Sequence, residues 1–313
     1  MGYKVFIDGQ EGTTGLKIRK RLQGREDLEV LSIAGPDRKD VEARLEMMKK
    51  ADISFLCLPD AASREIAAKA DKDRRILDTS TAHRTDPGWI YGFPELSETQ
   101  SEKIRGSNRV AVPGCHATGF IALVKPLISL KIIDKDYPLS CHSITGYSGG
   151  GKSMISLYEG KSRDHLYDSP RQYGLDQNHK HLPEMTAATG AGYPPAFHPI
   201  VADYYCGMMV TVTLHRRLME KKLKPEQLRQ ALEEYYQNRP AIRIKGNDEG
   251  SEGGFMAANA LADTDGMELH VLGNQDVMTL VARYDNLGKG ASGAAIQCMN
   301  IMLDLPEEKG LVL

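Results

Sequence analysis

The sequence predicts an α/β fold: a Rossmann-type parallel-sheet domain plus an α+β domain, with the C-terminal helix returning to the first domain. Three observations carry this prediction. Short apolar strands alternate with amphipathic helices through the first hundred residues. A glycine-rich turn follows the first of those strands. Later runs such as "YYCGMMVTVTLHR" and "GMELHVLGN" followed by "VMTLVARYD" read instead as strands of a mostly antiparallel sheet. At 313 residues the chain is long for one ordinary domain.

The opening "YKVFIDGQEGTTGLKIRKRLQ" contains a short strand from Tyr3 to Ile7 and a helix from about Thr14, apolar at Leu16, Ile18 and Leu22. Between them Gly9, Gly12 and Gly15 follow a GxxGxxG spacing. A helix N-terminus offers unpaired N–H groups and positive dipole to a pyrophosphate, and glycine lets the backbone approach. Gly9, Gly12, Thr13, Thr14 and Gly15 are therefore candidate dinucleotide contacts, with an ordinary tight turn as the alternative. The second strand, "EVLSIAG" (Glu29 to Gly35), lacks the acidic residue that would bind a ribose 2′-hydroxyl. Pro36, Asp37, Arg38 and Lys39 follow, and the pair Arg38 and Lys39 suits a 2′-phosphate, favouring NADP over NAD.

Further along come a helix, the strand Asp52 to Leu58, a helix after Pro59, and a strand from Arg75 to Asp78. In such sheets ligands lie at the carboxyl ends of the strands, which puts Pro59 and the segment Thr79 to Arg84 at the site. The next strand, "NRVAVPGC", runs into "HATGFIALVKPLISLK", a helix apolar nearly all round and so buried. Cys115 thus stands at a strand end and a helix N-terminus, where a thiol tends to ionise to its nucleophilic form. Cys57, Cys141, Cys206 and Cys298 fall in strand- or helix-like apolar contexts and read as core.

A thiolate needs a base that can take its proton and return it. In "NHKHLPEM", His179 and His181 point the same way on an extended segment before Pro183 starts a helix. His142 and His270 read as structural, and His116 is expected to point away from Cys115. "SITGYSGGGKS" superficially fits a P-loop counted from Gly146, but lies deep in the chain. A backbone nest at Ser148, Gly149 and Gly150 that closes over the cofactor is the preferred reading.

Together "DTSTAHR", "YGFPEL", "PGCHATG", "SGGGKS", "HKHLPEM" and "DNLGKGASGAAIQCMN" resemble the N-acetyl-γ-glutamyl-phosphate reductase family, within the group that includes aspartate-semialdehyde dehydrogenase. The chain looks like the family's shorter form. It departs from the long form in "DGQEGTTG" and in having Ala82-His83-Arg84 where Asp-Phe-Arg is usual. The resemblance implies that Cys115 attacks an acyl phosphate, N-acetyl-glutamyl 5-phosphate, and that the thioester is reduced with NADPH to the semialdehyde. It implies His181 as acid/base with His179 as alternate, Glu184 orienting that histidine or binding substrate, and Arg84 holding the leaving phosphate. Asn286 and Lys289, in the segment returning to the dinucleotide domain, are implied near the cofactor. Homodimers or homotetramers are expected, with a dinucleotide domain of 1–116 and 287–313 and a catalytic domain of 117–286. Aspartate-semialdehyde dehydrogenase, a lysine-pathway acyl-phosphate reductase, and a non-catalytic redox-sensing NADP-binding protein are the alternatives.

Composition excludes other classes. Hydrophobic residues make up 41% and charged ones 26%, an ordinary globular balance, and the net charge of −2 with scattered Lys and Arg argues against nucleic acid. No apolar run approaches the roughly 20 residues of a membrane helix, and "MGYKVFIDG" enters a strand at once, so no signal peptide is expected. Five widely spaced cysteines, never CxxC, argue for reduced thiols in a cytoplasm and against a structural metal.

Overall fold

The computed structural model describes residues 2–33, 35–246 and 249–313. Two compact units divide the chain: residues up to Gly114 with Ala291–Leu311, and Cys115–Gly290 with Val312–Leu313. These boundaries differ by a few residues from those expected from sequence. Cys115 and His116 already belong to a helix of the second unit, and residues 287–290 form a turn tied to Asp285.

In chain order the first unit begins with β1 (Tyr3–Asp8), α1 (Thr13–Leu22), β2 (Leu28–Leu31), α2 (Val41–Lys50) and β3 (Ile53–Leu56). It continues with α3 (Asp60–Lys69), β4 (Ile76–Asp78), β5 (Ile90–Tyr91), α4 (Gln100–Arg105) and β6 (Arg109–Ala111). The second unit contains α5 (Cys115–Ser129), β7 (Ser140–Gly146), α6 (Gly151–Glu159), β8 (Arg171–Gln172), α7 (Leu182–Thr189) and β9 (Ala196–Ala202). Then come β10 (Met208–His215), α8 (Pro225–Tyr235), β11 (Ile242–Ile244), β12 (Met267–Gly273) and β13 (Val277–Tyr284). The final helix, α9 (Gly293–Met302), belongs to the first unit.

All strand pairs of the first unit are parallel, in the order β2-β1-β3-β4-β6-β5. Helices cover both faces, so β3 is buried throughout, Ser54 included. One face packs Ile18 and Leu22 of α1, Ile104 of α4 and most of α9 against Val5, Ile53 and Leu77. The other packs Met48 of α2 and Ile66 of α3 against Phe6 and Leu56. α9 is buried on every side, as its run of small and apolar residues requires. The strand order reverses between β1 and β3, the place where such sheets leave a ligand crevice.

The second strand is shorter than expected. β2 stops at Leu31, and Gly35 (φ +68) and Pro36 open a 3-10 turn through Lys39. Ala34 lies outside the described residues, as do Asn247 and Asp248 of the loop read from Lys245 to Gly254.

The second unit is built on a seven-stranded sheet, β11-β12-β13-β10-β7-β9-β8, antiparallel except for β7/β9 and β11/β12. α5 packs on β10 and β13. Along β10, Val210, Val212 and Leu214 are buried while Met209, Thr211 and Thr213 are half-exposed, the alternation of a sheet with one covered face. Cys206 lies in the bend between β9 and β10 rather than in a strand.

Candidate active site

In the first unit, β1 ends at Asp8 and turns directly into α1. Gly9 holds φ +86, and a Cβ there would run into the Cys57 carbonyl oxygen of the neighbouring strand end. A Cβ at Gly15 would meet the Gly9 oxygen at 2.5 Å, so helix and turn can close only on glycine. Gly12 caps α1 without any side-chain hydrogen bond, and Thr13 and Thr14 form its first turn. The first amides of α1 are thus available to an anion.

Beside this turn lies a cleft of about 540 Å³ lined by Asp8, Gly9, Gln10, Glu11, Ile33, Arg38, Lys39 and Arg44, among others. Arg38 and Lys39 are exposed, and Arg38 stands 3.5 Å from Glu11. Arg44 is fixed by a 2.8 Å bond from its Nε to the Arg38 carbonyl. Three cations on a cleft that opens from a glycine turn fit a dinucleotide carrying an additional phosphate. Arg44 had not been singled out from the sequence, although its signal was present as a third cation shortly after Lys39.

Asp8 is 4% exposed and lies 3.4 Å from Arg44 Nε. Burial raises its carboxyl to about 6 although Arg44 and the Gly9 amide pull the other way. The folded state then holds this proton more tightly than the unfolded chain, so stability falls as pH rises from 3.8 towards about 6. Asp8→Asn is expected to stabilise the protein by about 2–3 kcal/mol at about pH 8 and by almost nothing at about pH 3. Denaturant unfolding of both proteins at the two pH values checks this.

The "DTSTAHR" segment is organised by one buried carboxylate. Asp78 accepts from Ser63 Oγ (3.0 Å), the Ser80 amide (3.0 Å) and Ser80 Oγ (2.7 Å), and pairs with His83 Nδ1 at 2.6 Å. The His83 ring stacks on Trp89 with centroids 4.1 Å apart. Asp60, just after Pro59 at the start of α3, accepts from the Thr81 amide at 2.9 Å. On this rigid loop Arg84 donates from Nε to the Val112 carbonyl (2.9 Å) and from Nη2 to the Thr79 carbonyl (3.0 Å). Arg84 is half-buried and clamps two strand ends together.

In the second unit Cys115 is the first residue of α5 and half-buried. The other cysteines do not share this setting: burial pushes the Cys57 thiol up to about 12 and holds Cys141 well above its usual range. His116 packs among the residues of the histidine motif. Its Nδ1 lies 2.6 Å from Ser143 Oγ and its Nε2 2.6 Å from the Tyr173 hydroxyl. Its ring stands 5.6 Å from that of His179 and 5.5 Å from that of His181. Burial, with His179 and Lys180 adding to it, lowers His116 to about 3, so the ring is neutral and bonded on both nitrogens.

The segment carrying His179 and His181 is a turn, not an extended strand. The Leu182 amide bonds to the His179 carbonyl (3.0 Å), and the two rings meet edge to face at 4.8 Å. His179 Nδ1 accepts the His181 amide at 3.2 Å, and burial lowers its pKa to about 4. His181, buried at the N-cap of α7, places Nε2 4.0 Å from Oε1 of the buried Glu184. Ser143 and Tyr173 carried no recognisable sequence signal, since they reach the cluster only through the packing of β7 and the turn after β8.

Ser148, Gly149 and Gly150 form a 3-10 turn before α6, with Gly149 and Gly150 exposed. The Asn286 side chain donates to Ser148 Oγ (3.1 Å) and accepts the Gly207 amide (2.9 Å), so it braces this loop. Lys289 is fully buried. Asp285 reaches Cys206 and Asp263 closely enough to suggest a cation site, yet its carboxylate accepts the Leu287, Gly288 and Asp263 amides.

The semialdehyde dehydrogenase NAD-binding domain model matches residues 4–104, and the semialdehyde dehydrogenase dimerisation domain model matches residues 115–286. Aspartate semialdehyde dehydrogenase II from Vibrio cholerae, complexed with ASA, superposes with a TM-score of 0.73 over 97% of this chain and 99% of that one, at 15% identity. Fold and matched domains therefore define the semialdehyde dehydrogenase class. N-acetyl-gamma-glutamyl-phosphate reductase 2 of Nostoc sp. (strain PCC 7120) is 43% identical over 98% of this chain and 99% of its own length. Its namesake in Pseudomonas putida (strain KT2440) is 40% identical, over 98% of each chain. The chain belongs to the N-acetyl-γ-glutamyl-phosphate reductase family.

Proposed function

We propose that this chain reduces N-acetyl-glutamyl 5-phosphate to N-acetyl-glutamate 5-semialdehyde and phosphate with NADPH. The Cys115 thiolate attacks the acyl carbon and phosphate leaves with the bonding electrons, forming a thioester on Cys115. Bound NADPH would supply the hydride that reduces this thioester. His181 takes the thiol proton and later protonates the oxygen of the thiohemiacetal, and Glu184 orients its ring. His179 supports the turn through the His181 amide, and His116 holds Tyr173 and Ser143. Gly9, Gly12, Thr13, Thr14 and Gly15 would hold the pyrophosphate, and Arg38, Lys39 and Arg44 the 2′-phosphate. Arg84 remains the proposed ligand of the leaving phosphate.

One observation carries the reading: Cys115 opens a buried helix in the same unit as the buried His181–Glu184 pair, in a chain that resembles reductases along nearly its full length. No helix among the described residues is long and apolar enough to cross a membrane. Five free cysteines agree with a reducing, cytoplasmic setting. We read the half-exposed face of the seven-stranded sheet as the surface on which a second copy packs, giving a homodimer or homotetramer.

The reverse reaction tests the substrate. N-acetyl-glutamate semialdehyde, aspartate semialdehyde and a carrier-protein-linked semialdehyde are each offered with phosphate and either NADP or NAD. The first is expected to lead in kcat/KM with NADP by about 100-fold or more. Faster turnover of aspartate semialdehyde contradicts the assignment, and no turnover with any substrate favours a non-catalytic NADP-binding protein.

A further inference from the structure

The last glycine of "PGCHATG" has no part in the chemistry above, yet its surroundings are restrictive. A Cβ at Gly119 would lie 2.6 Å from the Tyr284 hydroxyl oxygen, 2.7 Å from Tyr284 Cε1 and 2.8 Å from Val210 Cγ2. The space is occupied because the Tyr284 side chain enters the first turn of α5. In a regular helix the amide of residue 119 donates to the carbonyl of residue 115. In α5, which begins at Cys115, the Gly119 amide also donates to the Tyr284 hydroxyl at 3.0 Å, and that hydroxyl donates to the Cys115 carbonyl at 2.6 Å. A phenol can accept and donate at once, so the hydroxyl links these two backbone groups of the turn.

The same end of β13 touches Cys115 a second time. After Tyr284 the chain folds into a tight turn: the Asp285 carbonyl accepts the Gly288 (3.1 Å) and Gly290 (3.0 Å) amides. Its carboxylate accepts the Leu287 (2.6 Å) and Gly288 (3.0 Å) amides. Gly290 is thereby brought against Cys115, where a Cβ would stand 3.1 Å from the Cys115 Cβ. Tyr284 and Gly290 thus hold the cysteine by its carbonyl and its side-chain root, and both are buried.

We propose that Tyr284 is the positioning residue for the nucleophile: its hydroxyl, bridging the Gly119 amide and the Cys115 carbonyl, sets the orientation in which the Cys115 thiol is presented. This rests on Cys115 being the nucleophile. Removing the hydroxyl leaves the Gly119 amide and the Cys115 carbonyl with only the helix's own bonds, so the first turn of α5 is no longer tied to β13. A displacement of about 1 Å at a reacting atom costs on the order of 100-fold in rate.

The test uses the full chain with Tyr284→Phe. Two quantities are read: kcat and KM in the reverse reaction, and the pH profile of Cys115 alkylation by iodoacetamide, followed by peptide mass mapping. The expected result is a kcat lower by about 10- to 100-fold with KM changed less than about twofold, and a displaced midpoint of Cys115 alkylation. Both kcat and the alkylation profile matching wild type within about twofold overturns the proposal, whatever the change in melting temperature. If Tyr284→Phe does not fold, 3-fluorotyrosine at position 284 keeps the shape while altering donor and acceptor strength. A displaced alkylation midpoint then supports the proposal and an unchanged one overturns it. Alkylation does not require the proposed substrate, so failure of the substrate assignment is seen separately, as absent turnover in the wild-type protein.

Discussion

Cys115→Ser is expected to lower turnover by about 10⁴-fold or more while leaving NADPH affinity within about twofold of wild type. A serine hydroxyl fits the space, so the helix start and the Tyr284 contact at the residue 115 carbonyl should persist. What is lost is the ionisable sulfur, since a hydroxyl remains protonated at neutral pH and an oxygen ester resists reduction far more than a thioester. The glycine turn and the cationic cleft belong wholly to the first unit, whereas Cys115 belongs to the second. Steady-state rates and a fluorescence titration with NADPH separate the two effects. Near-normal turnover would remove the covalent mechanism.

His181→Asn should lower kcat by about 10²- to 10³-fold, and His179→Asn by no more than about 10-fold. The asymmetry follows from what each ring already does. His179 accepts the His181 amide at Nδ1, and its burial keeps it neutral down to about pH 4. Such a ring cannot cycle a proton at neutral pH without losing a bond of its own turn. His116 is neutral for the same reason and bonded to Ser143 and Tyr173. The proposed acid/base, His181, stands at the start of α7 with Glu184 one turn along, its Nε2 4.0 Å from the Glu184 Oε1. Comparing kcat for the two variants checks the assignment, and a larger loss at His179 would exchange their roles.

Much of the fold was legible because it rests on local pattern. The parallel sheet announces itself through short strands such as Ile53–Leu56, apolar but for Ser54, between helices with one apolar face. α5 was legible as a buried helix because its apolar residues run nearly all round it. The glycine turn was legible because sterics demand it: Gly9 and Gly15 each occupy a place where a Cβ has no room. The end of the second strand was misread, since a glycine at positive φ followed by proline breaks a run that hydrophobicity alone would continue.

The site was only partly legible. Cys115 could be singled out from its place before a helix, and "HKHLPEM" from its residue types. The partners of His116 could not, because Ser143 and Tyr173 approach it from 27 and 57 residues away. Tyr284 reaches Gly119 across 165 residues, and no spacing rule connects them. Arg84 illustrates the opposite limit. Its charge suggested a phosphate ligand, while the structure also makes it a brace between the Thr79 and Val112 carbonyls.

The proposed thioester on Cys115 can be caught directly. Wild-type protein incubated with N-acetyl-glutamate semialdehyde and NADP, without phosphate, should accumulate the acyl-enzyme, because nothing is present to release the acyl group rapidly. Peptide mapping by mass spectrometry is expected to find one N-acetylglutamyl group on the peptide carrying Cys115, discharged on adding phosphate. An unmodified Cys115 beside clear NADPH formation, or the acyl group on another residue, would contradict it.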